Sequence, residues 1–279
     1  MITWKQPLEG YEWLIHQIWY LEVGDDETMA SPPQLIPNPR AHLLFTPPNQ
    51  TYHYDNGQQI MTGLGSHLLS ASEHLLIMDD VAPLKRIGIT FQPDALYLIN
   101  QKSSELTNQC GWYDWLETNF NQQFQRLLLD CVSQQEIVGC IETQLKHLGI
   151  CYQQDKAHSL VNRARSLITE RLNKDDAIEL DVERLAQGCH STRRTLERHF
   201  RQVTGLSIKK YQLMLKLERM VIALYEEKGP VDWAEFSQRF GFSDQSHLIK
   251  QLKQQIKRTP SRYLHQRDLT IDIYGDFEP

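Results

Sequence analysis

The sequence predicts an α+β chain of two domains. The N-terminal half reads as a β-barrel or sandwich with following helices, and the C-terminal half as an all-α domain in which a central helix joins two helix-turn-helix units. Three observations carry this. Aromatic and β-branched runs recur at roughly ten-residue spacing through the first hundred or so residues. Helical periodicity takes over from Ser103. A stretch of the second half is then repeated 52 residues further on.

Over residues 1–102, "WLIHQIWYLEV", "AHLLF", "TYHYDNGQQIMTG", "HLLIMDD", "RIGITF" and "ALYLI" read as short strands. Asn56-Gly57 inside the third is a strong hairpin signal, because both residues accept a left-handed backbone. From 103 to 150 the apolar residues fall at i, i+3 and i+4: Phe124, Leu127, Leu128 and Cys131, then Ile137, Val138, Ile141, Leu145 and Leu148. This is a helical extension of the first domain and a candidate dimer contact. Residues 151–157 read as a linker. The second domain spans 158–267, beginning with a helix near His158–Asn173, and 268–279 is an acidic tail.

The repeat sets "LAQGCHSTRRTLERHFRQVTGLSIKKY" beside "FSQRFGFSDQSHLIKQLKQQIKRTPSRY". Leu185-Ala186-Gln187 matches Phe236-Ser237-Gln238; one extra residue falls in the second turn. Thr192 then matches Asp244, Leu196 matches Leu248, Arg198 matches Lys250, Phe200 matches Leu252 and Tyr211 matches Tyr263. Each copy reads as helix, tight turn, helix. Asp181 is the expected N-cap of the first helix, with Leu180 and Leu185 at staple spacing. Thr192 and Asp244 are the expected caps of the two second helices. Each of these carries a narrow apolar stripe and a free polar face, the arrangement that enters a DNA major groove. Between the copies, residues 207–226 are apolar nearly all round, as a covered helix about 30 Å long would be. Successive major-groove faces repeat every ~34 Å, so such a helix could hold two reading helices one turn apart.

Charge divides the chain at the same place. Residues 1–157 hold 8 Lys+Arg against 18 Asp+Glu, residues 158–267 hold 21 against 13, and the last twelve hold four acids and no base. A basic block behind an acidic one suits a polyanionic partner for the second domain.

The second copy resembles the signature of the AraC/XylS family of bacterial transcription regulators, through Gly241, Phe242, Ser243, Asp244, Ser246, His247, Thr259, Pro260 and Tyr263. The resemblance covers about residues 158–265. It departs at Leu248 and Leu252, where the family usually has Phe, at Ile256-Lys257, where it has an aromatic-Gly pair, and at His190, where it often has Gly. The resemblance implies a sequence-specific regulator binding two adjacent major-groove segments of double-stranded DNA. Arg193, Arg194, Glu197 and Arg198, with Gln245, Ser246, Ile249 and Lys250, are then the base-facing set. Arginine can bond two ways to guanine and glutamine to adenine. Thr192, Lys209, Lys210, Lys257, Arg258 and Arg262 are the expected phosphate contacts. The bland alternative is a solvated helix face with Arg198 paired to a nearby acid. His199 and His247 read as packing or capping side chains.

The N-terminal half, through "LIPNPRAHLLF" and "IGITFQPDALYLI", resembles the cupin-like sensor domains of that family. This implies a small-molecule effector in the barrel, with Trp13, Trp19, Tyr20, Tyr52, His53 and Tyr54 as candidate lining. RNA polymerase and a second copy of the chain are further implied partners; control by a protein partner is a third reading.

The alternative from another class is a cupin-type metal-dependent enzyme or sensor fused to a DNA-binding domain. A metal cupin wants a close His-x-His with a Glu and a later His, and His42, His53, His67 and His74 give no His-x-His. No GxSxG, phosphate loop or HExxH occurs. The reading is therefore no enzyme, no cofactor and no metal. The five cysteines are scattered without CxxC, as reduced thiols are, and neither a membrane span nor a signal peptide is read, which points to the cytoplasm.

Overall fold

A computed structural model describes residues 2–25, 33–79, 82–100, 106–150, 152, 155–174, 180–226 and 230–257. Strands β1 (Ile2–Gln6), β2 (Ile15–Val23), β3 (Gln34–Leu35), β4 (His42–Phe45), β5 (Thr51–Asp55), β6 (Ile60–Leu64), β7 (His67–Leu69), β8 (Leu76–Met78), β9 (Leu84–Phe91) and β10 (Cys110–Gly111) make two antiparallel sheets. One has the order β1-β2-β9-β4-β7-β10 and the other β3-β8-β5-β6. The expected β-rich N-terminal domain and all-α C-terminal domain are both present.

β2 shows no alternation because both of its faces are covered. Trp19, Leu21 and Val23 belong to the cluster between the sheets, with Tyr52, Tyr54, Leu76 and Met78. Ile18 and Tyr20 belong to the cluster on the opposite face. That face is closed by α2 (Asp114–Asn119), α3 (Gln122–Asp130) and α4 (Gln134–Leu148). Phe45 there meets Phe120 and Phe124 edge-on at 5.7 and 5.6 Å. Two aromatics lie on cross-strand glycines. A Cβ at Gly88 would stand 1.9 Å from the Trp19 indole, and one at Gly63 would stand 2.3 Å from the Tyr52 hydroxyl. Only a bare backbone admits rings that close. Asn56-Gly57 makes the β5–β6 turn, with Gly57 at φ 77 and the Asn56 side chain accepting from Gln58 N and Gln59 N, both at 2.9 Å.

One expected strand is a helix. "ALYLI" lies in α1 (Ala95–Asn100), not in the sheet. Pro93 can give no ladder hydrogen bond, so β9 ends before it. Ala95, Leu96 and Tyr97 are buried at consecutive positions, which an alternating strand facing one core would not allow.

The C-terminal domain comprises α5 (Lys156–Lys174), α6 (Val182–Gly188), α7 (Arg193–Thr204), α8 (Ile208–Glu226), α9 (Trp233–Arg239) and α10 (Gln245–Ile256). The halves of α8 serve different cores, which is why its sequence is apolar all round. Ile208, Tyr211 and Met214 pack with α5, α6 and α7. Leu217, Met220, Val221 and Leu224 pack with α9 and α10. Its 19 residues span about 28 Å.

Asp181 stands at the N-cap of α6 but its side chain makes no capping hydrogen bond. The start of α6 is held instead from α8: Gln212 accepts from Leu180 N at 2.7 Å and donates to Leu180 O at 3.1 Å. The exposed Asp181 carboxylate is left to water.

Candidate nucleic-acid interface

The two repeats turn left-handed at the same places. The turn of the first unit goes left-handed at His190 (φ 52) and that of the second at Gly241 (φ 66), equivalent positions. Histidine tolerates this region better than most side chains. The second helices also end alike. Gly205 (φ 75) and Lys257 (φ 55) are both left-handed C-caps. Lysine therefore occupies a position that favours glycine.

In the first unit the Thr192 hydroxyl accepts from Thr195 N at 3.2 Å and starts α7. Leu196, Phe200 and Val203 are buried, which turns Arg193, Arg194, Glu197 and Arg198 into solvent. Arg193 Nε meets Glu197 Oε1 at 3.0 Å, an exposed pair that water screens. Arg198 Nη2 donates to His199 Nε2 at 3.0 Å, an imidazole rather than the acid considered above.

In the second unit Asp244 accepts from His247 N at 2.8 Å and starts α10. The His247 ring packs edge-on to Phe242 at 5.4 Å and its Nδ1 meets the Ser243 hydroxyl at 3.3 Å. Leu248, Leu252 and Ile256 are buried; Gln245, Ser246 and Lys250 are exposed and Ile249 is half-buried. The two faces differ in charge: three arginines and a glutamate on α7, one lysine on α10.

Lys209 and Lys210 lie in the first turn of α8, where the Ser207 hydroxyl accepts from Lys210 N at 3.3 Å. Cations there stand against the helix dipole, a cost that a bound phosphate would offset. Lys257 is exposed at the end of α10. Arg258 and Arg262, with Thr259, Pro260, Tyr263 and the acidic tail, lie outside the described residues.

The six candidate lining residues of the N-terminal domain do not converge. Strand alternation separates neighbours: Trp19, Tyr52 and Tyr54 point between the sheets, Tyr20 points to the opposite face, and His53 points to solvent. Trp13 lies against Tyr152, rings 5.2 Å apart. Trp19 Nε1 donates to the Thr90 hydroxyl at 3.1 Å, the Tyr52 ring lies against His67 at 3.9 Å, and Tyr54 is built into a polar chain. Arg86 donates to the Tyr54 hydroxyl. Since the Gly65 carbonyl can only accept, His67 Nδ1 donates to it at 2.8 Å, and His67 Nε2 accepts from Tyr54 at 2.9 Å. Burial first, and then the Arg86 charge, lower the His67 pKa to about 3. His42 is lowered to about 3 by burial and then by Arg40. Among the described residues no three His, Cys, Asp or Glu side chains are grouped to hold a metal ion, and no helix is long and apolar enough to cross a membrane.

The sequence did not reveal the contacts that join the domains. Asp94 meets His158 Nε2 at 2.7 Å and also pairs with Arg165. The Tyr97 hydroxyl donates to Asp155 at 2.5 Å and accepts from Gln202, on α7, at 3.4 Å. Thr107 donates to the carbonyl of Gly205, the C-cap of α7, at 3.2 Å. Arg40 meets Glu218 at 3.2 Å. A cleft of about 450 Å³ opens at this boundary, lined by Arg40, Arg165, Arg219 and Arg239 around Glu218, with Leu215 and Ile222. No local pattern marks these partners, which are 58 to 178 residues apart.

A family model described as a helix-turn-helix domain matches residues 185–266. The chain is 30% identical over 122 residues to the Msm operon regulatory protein of Streptococcus mutans serotype c, covering 44% of this chain and 41% of that protein. The match therefore spans less than half the length of that relative. Among solved structures, ToxT from Vibrio cholerae aligns with a TM-score of 0.46 at 9% identity, over 95% of this chain and 98% of that one. The AraC-like transcriptional activator CuxR aligns with a TM-score of 0.29 at 14% identity, over 76% and 77%.

Proposed function

We propose, from the match of residues 185–266 to a helix-turn-helix domain and the AraC/XylS resemblance of the second copy, that this chain is a sequence-specific DNA-binding transcription regulator whose N-terminal domain answers to a small-molecule effector. The observation that carries the reading is the duplicated unit itself. In both copies the apolar stripe is buried and the polar face of the second helix is open. Arg194 and Arg198 read guanine edges in this assignment, and Gln245 reads adenine. Arg193, Glu197, Ser246, Ile249 and Lys250 complete the base-facing set. Thr192, Lys209, Lys210, Lys257, Arg258 and Arg262 hold phosphates and fix the register. The unequal charge of the two faces makes the first unit the stronger electrostatic anchor.

The effector's route to DNA runs through the domain boundary. Tyr97 and Thr107 touch the last turn of α7, so a change in the N-terminal domain reaches the first reading helix within one contact. RNA polymerase, a second copy of the chain and a cytoplasmic setting belong to the same reading, and the protein acts by binding rather than catalysis.

The test is selection of bound sequences from a random duplex pool by the full chain at two salt concentrations. Two half-elements about one helical turn apart, retained at the higher salt, are the expected result. A pool enriched for nothing, with binding that disappears as salt rises, would overturn the sequence-specific assignment.

A further inference from the structure

The side chains expected to line a barrel pocket do not converge, whereas the cleft at the domain boundary is formed by residues that do. Its volume, about 450 Å³, is that of a small-molecule site. Arg40 and Pro93 enter it from the N-terminal domain, Arg165 and Leu172 from α5, and Arg239 from the end of α9. The floor is one face of α8, on which Tyr211, Leu215, Glu218, Ile222 and Glu226 follow one another at helical spacing.

The lining is cationic. Arg165 is held by Asp94 and by the Tyr211 hydroxyl, to which its Nε donates at 3.3 Å, and so forms an inner wall. Arg40 Nη1 lies 3.2 Å from both carboxylate oxygens of Glu218. Arg219 donates to two neutral oxygens, Leu172 O at 2.6 Å and Asn173 Oδ1. The Arg239 guanidinium, on an exposed side chain, stands 5.2 Å from the centre of the Phe240 ring. Arg40, Arg219 and Arg239 thus share the cleft with Glu218 and Glu226, and Glu226 is exposed to water, which screens its charge. Guanidinium groups gathered in a concave wall raise the local concentration of anions, and their forked donors match carboxylate and phosphate oxygens.

We propose that this cleft binds a small organic dianion, a phosphate ester or a dicarboxylate, whose charged groups sit among Arg40, Arg219 and Arg239 and whose compact apolar body rests on Leu215 and Ile222. Two charges are required because a single carboxylate has only two oxygens, too few for three guanidinium forks carried by separate segments. An apolar body is required because Leu172, Leu215, Ile222 and Ala223 complete the lining, and an inorganic anion would leave them in water. The site deepens the proposed function by moving the effector from the barrel to the domain boundary, and its regulatory part rests on that reading. α5 packs with the first reading helix and α9 with the second. A ligand held by Arg40, Arg219 and Arg239 therefore touches the N-terminal domain and the supports of both reading helices at once.

The experiment titrates the full chain by calorimetry, without DNA and at low salt, with phenyl phosphate, glutarate, benzoate and inorganic phosphate. Saturable binding is expected for phenyl phosphate or glutarate, and the tighter of the two identifies the charged group. Benzoate, for want of a second charge, and inorganic phosphate, for want of an apolar body, should bind about tenfold more weakly or worse. Arg219→Ala and Arg239→Ala should each weaken binding about tenfold. Arg126→Ala, at an exposed position on α3 outside the cleft, should bind as the wild type does. No saturation by either dianion would overturn the proposal, as would inorganic phosphate binding as tightly as phenyl phosphate, or arginine variants that bind like the wild type. If Arg219→Ala fails to fold, Arg239→Ala, at an exposed position, decides. Affinity for the selected duplex, measured with and without the bound dianion, tests the regulatory reading separately. Binding that leaves DNA affinity unchanged upholds the cleft and refutes effector control.

Discussion

The Asp94 carboxylate, buried at the start of α1, accepts a hydrogen bond from His158 Nε2 of α5 at 2.7 Å and so pins the N-terminal domain to the C-terminal one. Burial alone would raise the Asp94 pKa, but the His158 hydrogen bond and the Arg165 charge outweigh it and hold the carboxyl below its ordinary value. A depressed carboxyl pKa adds stability above the unfolded value of about 3.9 and loses it as pH falls through the folded value. This junction should therefore hold from neutral pH down to about 4. Asp94→Asn removes the charge that His158 and the half-buried Arg165 share and should cost about 1–3 kcal/mol, read by urea unfolding. An unchanged midpoint, with the 151–157 region no more open to protease, would remove Asp94 from the junction.

Arg198→Ala and Lys210→Ala should fail differently. The first should cost ~1–3 kcal/mol at the selected site and relax preference at one base pair. The second should weaken every sequence alike and lower the salt slope by ~1. Equal loss on specific and random DNA would deny Arg198 its base-reading role, and an unaltered slope would strike Lys210 from the phosphate contacts.

Lys257 joins two opposed effects at one left-handed C-cap. Lys257→Gly should stabilise the fold by about 1 kcal/mol, since glycine adopts φ 55 without the side-chain penalty. The same change should weaken DNA binding uniformly and reduce the salt slope by about 1. Thermal unfolding and salt-titrated binding separate the two; a destabilised variant would contradict the backbone assignment.

The N-terminal domain should be acid-sensitive well before its carboxylates titrate. His42 and His67 are neutral in the fold, with pKa values lowered to about 3 against roughly 6.5 when unfolded. The unfolded chain takes up protons first as pH falls, so stability is full above about 6.5 and declines below it. Each histidine should remove about 2 kcal/mol by pH 5. Chemical denaturation at pH 7 and pH 5 measures this, and equal midpoints would mean that neither ring is held neutral.

How much was legible differs by residue. Thr192, Asp244, Asn56-Gly57 and the Leu196/Phe200 stripe were readable because capping, turn geometry and helical stripes act over four residues or fewer. The repeat made the second unit readable from the first. "ALYLI" was misread because short apolar runs fit strand and helix equally, and only Pro93 and the consecutive burial of Ala95, Leu96 and Tyr97 decide it. The candidate pocket residues were misgrouped for a related reason. Tyr52, His53 and Tyr54 are neighbours in the chain, but a strand sends His53 to the face opposite the other two.

By itself the sequence determined the two-domain division, the duplicated helix-turn-helix unit and the polar faces its second helices present. Each of these is written in adjacent residues and stabilised by short-range contacts. Only the tertiary structure decided that Asp94 meets His158, that Tyr97 reaches Gln202 on the first reading helix, and that Trp19 lies over Gly88. Such pairings depend on which faces the sheets and helices bury against one another. That choice belongs to the packing of the whole chain, and no local pattern encodes it.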